Sequence, residues 1–513
     1  MSEPAAAEER PTTFREVMVG REFKAVFAAS ALSWFGDHAA RAAVTALVLV
    51  KTESVAYSAA TFAISYLPWL GIGNVLSAIA ERYSYRQVMI VCDIVRMVLM
   101  TAIALVAMPV PALMGMLFLT ALLNPPFDAA RSALLPRILE GDRYVVGLSL
   151  QRSAGQAARI IGYVAGAGIA GQNAQYALLF NAFTFAVSAL AVAWGVRERP
   201  PALRNDQRTN LLRETAEGFG IVYRNPVLRA IALVVFGSAA FTVAPEGLAA
   251  AWAMELTSSA TERGWYQGVI MMSNASGFVI GSIVIGRFVA PSMRITLIRP
   301  LGVLCTLVLV PAIFKPDLWW IVAMNVASGF ALAGLMPASN GLFVRALPDS
   351  FRARAFGVMQ SGMLIIQGIA IFATGWLADR VPLPYVIGGW SAFGVVVMLL
   401  FAFAWPHPAT IADTIAAARD DHAAASNERL PAGRHRSRNE RRERHDETGH
   451  PSGLGPVRAT ARLSDASTVE IAPRAEDAKR RRRLRPSAGG RNNAAPSTTS
   501  GSVTPGTVNA GPQ

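Results

Sequence analysis

"AVFAASALSWFGDHAARAAVTALVLV" occupies Ala25 to Val50, 26 residues that are almost all small or apolar. As a helix the run is about 39 Å long, enough to cross a hydrocarbon core about 30 Å thick. Asp37, His38 and Arg41 nevertheless stand near its middle. A charge at the centre of a bilayer costs at least about 2.5–3.5 kcal/mol by insertion scales, so ionisable groups this close together call for an offsetting reason. Asp37 and Arg41 are four residues apart, share a helix face and can offset each other. His38 is rotated about 100° away and need not join them. A carboxyl whose water and Arg contacts both change as a gate opens can take a proton on one side of a membrane and release it on the other. Asp37, with Arg41 and His38, is therefore the first candidate for a proton-coupling group. A purely structural ion pair is the alternative.

Similar runs recur as far as Trp405. The chain of 513 residues is 53% hydrophobic and 16% charged, whereas a soluble domain carries roughly a quarter charged residues. The runs do not alternate as barrel strands do, so the expected class is an all-α, multi-pass membrane protein. Twelve spans are expected near 25–50, 55–80, 87–108, 111–133, 145–170, 175–196, 228–252, 264–286, 295–314, 318–343, 355–378 and 384–405. With the N-terminus inside, sixteen basic residues fall in inside loops, among them Arg82, Arg86, Arg197 and Arg199. Only Lys51, Arg263, Lys315 and Arg380 fall outside. Basic residues near helix ends resist translocation, so both termini are expected to be cytoplasmic, in a cell (plasma) membrane protein. The first run is of full span length and lacks a small-residue cleavage site, so no cleavable signal is expected.

The chain also repeats itself. Phe14, Val17, Lys24, Ala25 and Val26 recur 205 residues later as Phe219, Val222, Arg229, Ala230 and Ile231. Gly73 and Ser77 match Gly277 and Gly281. Leu123, Pro125, Asp128, Leu135 and Pro136 recur 212 residues later as Leu335, Pro337, Asn340, Leu347 and Pro348. Three sets in the correct order predict two pseudo-symmetric six-helix bundles, 25–196 and 228–405, after a cytoplasmic segment 1–24 and joined by a cytoplasmic linker 197–227. Parallel repeats of this kind build transporters with a mid-membrane site between the halves.

From Pro406 the composition changes. The segment 406–513 has no Phe, Trp or Tyr, and it carries 18 basic against 12 acidic residues, a net +6 of the chain's +14. Such a segment cannot bury enough apolar area to offset its ordering entropy, and it is expected to be a disordered basic cytoplasmic tail. Its "KRRRRLR", Lys479–Arg485, either sits on anionic lipid or is a solvated charge run. With the other +8 of the excess charge in the membrane part, no nucleic-acid partner is expected. Cys92 and Cys305 lie in apolar runs and read as small fillers; no metal spacing and no cofactor motif stand out. No Walker-type phosphate loop is present, and no nucleophile–base constellation stands out in the loops, so neither ATP-driven pumping nor an enzyme is expected.

Several stretches resemble the major facilitator superfamily, and within it the group containing macrolide-efflux proteins and the enterobactin exporter. They are "SWFGD" in span one, "YLPWLGIG" in span two, "SAIAERYSYRQVMIVCDIVR" from span two to three, "FDAARSALLPRILEGDR" after span four, "VYRNPVLRA" before span seven and "GWLADR" in span eleven. The likeness covers roughly Phe14 to Trp405. The family's usual loop after span two reads Gly, three residues, Asp, Arg, one residue, Gly, one residue and two basic residues. Here its positions hold Ser77, Glu81, Arg82, Ser84, Arg86 and Gln87. The resemblance implies a cytoplasmic gate in which the acid, here the longer Glu81, acts on the N-terminus of span eleven. Asp93 and Arg96 sit three apart and can extend that network; Asp128 and Arg131 are read as gate residues too. Exporters of this kind carry a Gly/Pro-rich span five. Gly155, Gly162, Gly166, Gly168 and Gly171 supply the small face here, without the Pro.

Glu246, between Pro245 and Gly247 in span seven, is the second coupling candidate, since the repeat sets it against Arg41 and both spans should line one central cavity. A Pro is tolerated there if protein or water satisfies the freed carbonyl. Asn124 in span four, Gln151, Arg152, Gln156 and Arg159 in span five, Asn325 and Asn340 in span ten and Gln360 and Gln367 in span eleven are candidates for the cavity wall. Arg152 and Arg159 are seven apart and face one way, which favours an anionic cargo. For the lone amides, helix–helix hydrogen bonding competes with substrate contact. The resulting expectation is a proton-coupled exporter of amphipathic small molecules, drugs or siderophores. A lipid carrier, an importer or a non-transporting scaffold are the alternatives.

Overall fold

The computed structural model describes residues 13–80, 82–199, 219–348 and 351–428. All twelve expected segments are helical, and no strand occurs among the described residues. Span one is a single helix, Arg21–Thr52. Span two is interrupted: Val55–Ala63 gives way to a 3₁₀ stretch, Ile64–Leu70, around Pro68, and resumes as Ile72–Ala80. Pro has no amide hydrogen and clashes with the preceding turn, which accounts for the change of winding. Span three is Tyr85–Leu105; span four is Val110–Leu122 continued by Asn124–Ile138. Spans five and six form one assigned helix, Asp142–Gly195, broken where Asn173 leaves helical geometry. Among the described residues eight helices are long and apolar enough to cross a membrane, the last-named long enough to do so twice. Span one with its charges, the interrupted span two and the shorter span nine, Ile298–Phe314, complete the set.

The repeat read from the sequence is a repeat of packing. Span two packs on span four, and Gly73 sits against Pro125. Span eight, Ala260–Phe288, packs on span ten, Leu318–Arg345, where Gly277 and Gly281 meet the backbone at Val326 and Phe330. Span one packs most extensively against the five–six hairpin. Its Ala39 receives Gly162 and Gly166, and its Gly36 lies under Asn181 and Thr184. Small residues let helix axes approach this closely.

The apolar core is not evenly shared. One cluster crosses between the halves and joins Ala42, Leu49, Phe62 and Tyr163 to Leu248, Trp252, Ile270 and Ile371. At the end of the molecule that carries the first helix's start, the clusters belong to one half each: Val26, Met89, Phe127 and Val192 in the first, Val222, Ile231, Leu335 and Phe343 in the second. The halves are thus welded at one end and separately packed at the other.

The segment after Pro406, expected to lack order, opens instead with a helix, Pro408–Glu428. Ile411 and Ile415 pack on the second half's core and Ala418 is buried. The average composition hid a short i, i+4, i+7 apolar stripe in an Ala-rich, helix-favouring stretch. The rest of the tail, with Lys479–Arg485, lies outside the described residues, as do the segment before Thr13, Arg204, Arg208 and Arg213 of the linker, and Glu81.

Candidate functional site: an ionic junction between the halves

At the welded end, spans five and eight meet through small residues: Gly171 lies against Ala260 and Gly264, and Gly268 against Val164 and Ala167. Gln267 of span eight donates to the carbonyl of Ala42 at 2.8 Å and to Thr45 Oγ1 at 3.1 Å, both in span one. Spans two and eleven meet through a cap. The Asp379 carboxylate, at the end of span eleven, accepts from Ser54 Oγ (2.7 Å) and from the amides of Val55 (2.7 Å) and Ala56 (3.2 Å), the exposed first turn of span two. An acid at a helix N-terminus satisfies free amides and meets the positive end of the dipole. Here the acid and the helix belong to different halves.

Midway along the seam span seven breaks. Pro226–Thr242 stops, a single turn Ala244–Gly247 follows Val243, and Ala249–Leu256 resumes. Pro245 makes this turn and presents Glu246, which is 6% exposed. Both of its oxygens are taken by the first half: one is ion-paired with the Arg159 guanidinium and the other accepts from Tyr163 Oη at 2.5 Å. His38 stacks edge-on against Tyr163 at 4.9 Å, and its Nδ1 has no hydrogen-bond partner among the described residues. Arg41 lies over the rings of Phe62 and Tyr66, 5.3 and 5.9 Å from their centroids. His38, Arg159 and Glu246 are therefore gathered around Tyr163 at the junction, and Arg41 lies over Phe62 and Tyr66 beside it.

Asp37 is not at this junction. It faces the interior of the first half, in a cavity of about 70 Å³ that it shares with Arg41, Thr61, Asn124 and Asn181. Nor does it form an ion pair with Arg41, despite the spacing. The reason is the rotation of span one: Gly36 and Ala39 are its contact points with spans six and five, and that contact turns Asp37 towards spans two, four and six. Deeper in the same half, Asp93 and Arg96 are 0% and 1% exposed and 3.7 Å apart. Ser188 donates to Asp93 at 2.5 Å, and Phe127 and Phe185 flank the Arg96 guanidinium. Asp128 and Arg131 pair at 2.9 Å, and Arg131 lies over Trp34.

At the separately packed end the gate-motif residues act on their own half. Arg86 donates to the carbonyl of Ala193 at 2.5 Å and, with Gln87, reaches Glu198, so the pair ties the end of span six to span three. Ser77 bonds back to Gly73, and Arg82 is exposed. Beside them Glu22 accepts both guanidinium nitrogens of Arg199 (2.7 and 3.0 Å) and the amide of Arg197 (2.8 Å). Partial burial alone would raise the Glu22 pKa, but these donors outweigh it and hold the carboxyl below its ordinary range.

Of the remaining cavity candidates, Arg152, Asn340 and Gln360 are exposed, while Gln156 and Gln367 are half-buried. Gln151 is buried. Asn325 is buried and donates to Ile321 of its own helix, a packing amide. Tyr66, Tyr163, Asn181, Gln267 and Asp379 were missed. An aromatic hydroxyl or a lone amide in an apolar run carries no spacing signal, and the importance of Asp379 lies in a helix more than three hundred residues away.

Two helical halves joined by a sealed seam and a buried ionic junction define a multi-pass membrane transporter rather than an enzyme. The chain belongs to the Major Facilitator Superfamily, whose family model matches residues 26–314 and 247–444. Solved structures with the same fold include the nucleoside transporter NupG as its D323A mutant (13% identity, TM-score 0.61, 75% of this chain and 100% of that one). A POT family transporter in complex with 5-aminolevulinic acid is similar at 11% identity and TM-score 0.60, over 74% and 95%. A bacterial homolog of the human lysosomal transporter Spinster, in an inward-facing and unoccupied conformation, is similar at 13% and 0.54, over 78% and 97%. At these identities the likeness is one of fold. No curated protein matches the chain by sequence.

Proposed function

We propose that the protein is a secondary active exporter of amphipathic small molecules, drugs or siderophores, driven by proton entry and working by alternating access in the plasma membrane. The observation that carries this reading is Glu246: a buried carboxylate of the second half whose two partners, Arg159 and Tyr163, belong to the first. Such a group couples protonation to movement. Ionised, it holds the halves together through a poorly hydrated ion pair. Protonated, it loses the charge–charge part of that attraction, and the halves are freed to rock.

The positive-inside pattern assigns the termini to the cytoplasm. The welded end, with Asp379 on the span-two amides, is then the outer gate in its shut state, and the separately packed end faces inward. Asp37 is the second coupling group of this reading. It shares the small cavity of the first half with Arg41, whose guanidinium lies over Phe62 and Tyr66. The outward direction rests on the resemblance of the chain's stretches to the macrolide-efflux and enterobactin-exporter group, an importer being the alternative.

The test is reconstitution into liposomes with an imposed pH gradient and a panel of dyes and siderophores, with an uncoupler control. Gradient-driven movement that is lost in Glu246→Gln, while the variant still folds and inserts, is the expected result. Equal transport by Glu246→Gln at every pH would remove Glu246 from the coupling and this reading with it.

A further inference from the structure

Beside the seam, between spans two, four and eleven, lies an apolar cavity of about 520 Å³ lined by Ala60, Ala63, Tyr66, Met114, Ile365 and Gly368. Its rim, Leu67, Ile369 and Phe372, is exposed on the flank of the molecule, the surface that a spanning protein turns to acyl chains. Ligand sites typically measure about 300–1,000 Å³ and are mostly apolar, with a few placed polar groups. The polar group here is next door. Ile64 lines both this cavity and the small one that holds Arg41. Tyr66, on the wall of the larger cavity, is one of the two rings under the Arg41 guanidinium.

Arg41 differs from the other cations enclosed in the first half. Arg96, Arg131 and Arg159 each have a carboxylate partner, whereas among the described residues Arg41 has none at ion-pair distance. Glu246 is occupied by Arg159 and Tyr163. Asp37 lines the same small cavity as Arg41, beside Asn181, but does not reach Arg41 at ion-pair distance. The charge next to the apolar cavity that has no ion-pair partner among the described residues is therefore positive, and a guanidinium set beside two rings keeps donors for an incoming anion.

We propose that the two features form one binding site for an amphipathic anion, its head at Arg41 and its apolar tail between spans two and eleven, entering sideways from the bilayer. This rests on the transport reading above and names its substrate class. The tail separates the halves where they meet, so cargo and seam are sensed together.

The experiment uses the full chain in lipid nanodiscs, with binding read by intrinsic fluorescence independently of transport. The probes are dodecanesulfonate, butanesulfonate and dodecyltrimethylammonium. Arg41→Gln should weaken both sulfonates about tenfold or more and leave the cationic amphipath unchanged. Ala60→Phe, which fills the cavity, should weaken dodecanesulfonate about tenfold or more while changing butanesulfonate less than about twofold. Ile365→Phe should reproduce that pattern from the opposite wall. Comparing each variant with the parent cancels the partitioning of the probe into lipid. Equal affinity of the parent for the two dodecyl probes would overturn the anionic head. Loss in Ala60→Phe and Ile365→Phe that is the same for long and short chains would overturn the tail site, as would a cavity held by bilayer lipid that no probe displaces. Charge- and length-selective binding without gradient-driven movement would sink the transport reading while leaving the binding site standing.

Discussion

The two halves repeat each other in backbone and differ in charge. The first buries the Asp93–Arg96 pair and also encloses Asp37, Arg41 and Asp128–Arg131 within its bundle. In the second, Glu246 is the single buried charged side chain among the described residues, and its partners lie across the seam. Elsewhere its buried polar groups are amides and hydroxyls such as Asn325, Ser328 and Thr374, which bond within or between helices. The difference separates two uses of buried charge. Pairs inside one half hold a bundle together and move with it. A pair shared between halves must be made or broken if they rock, so in the proposed cycle Glu246 is the group through which protonation acts directly on the seam.

The comparison breaks first at Glu246. Glu246→Gln should reduce pH-driven transport by about a hundredfold or more, the factor that corresponds to the roughly 2.5–3.5 kcal/mol a charge at bilayer depth costs, while Glu246→Gln with Arg159→Gln should recover the thermal stability that either single change loses. A single change that leaves transport intact would make the junction merely structural. Next comes the enclosed pair. Asp93→Asn leaves Arg96 buried without its acid and should cost about 3–5 kcal/mol of stability, read as a lowered melting temperature in detergent with near-normal coupling in whatever fraction folds. Loss of proton coupling at unchanged stability would erase the contrast between internal and shared pairs.

The shut gate gives a smaller effect. Asp379→Ala removes a cap worth about 0.5–2 kcal/mol and should raise the reactivity of a cysteine placed at Ala59 towards a membrane-impermeant reagent added at that end. Unchanged reactivity would mean that the glycine contacts of spans five and eight seal that end alone. The smallest effect is expected at Glu22. Because its folded pKa is depressed, its contribution is fully present above the ordinary value of 4.5 and is lost as pH falls through the lowered folded value. Melting temperatures of parent and Glu22→Gln should therefore differ near neutrality, by a part-exposed ion pair's worth of about 1 kcal/mol or less, and converge in acid. A gap that persists in acid would assign the loss to packing.

Much of this architecture could be read before any coordinates. Span lengths, the order of the three repeated sets and the small-residue rungs at Gly73 and Gly277 all reappear as helices and as paired packing. Arg159 and Glu246 were legible as costly groups, because a charge in an apolar run is conspicuous. Their partnership was not, since the residues are 87 apart and nothing in local spacing joins them. Asp37 shows the opposite limit: helical periodicity says that it shares a face with Arg41 but not where that face looks. The tail helix was hidden by averaging, three apolar residues being invisible in a composition of more than a hundred.

The sequence by itself determined that this chain lies in a membrane, folds as two six-helix halves and carries charge where charge is expensive. Those conclusions follow from length, periodicity and desolvation, which are properties of one segment at a time. Only the tertiary structure decided which acid bridges the halves, which end is packed across the seam and which cation lies next to an apolar cavity with no ion-pair partner among the described residues. Those depend on how each helix is rotated about its axis, and that rotation is set by close contacts such as Gly36 on Asn181 and Gly166 on Ala39, between segments that are far apart along the chain.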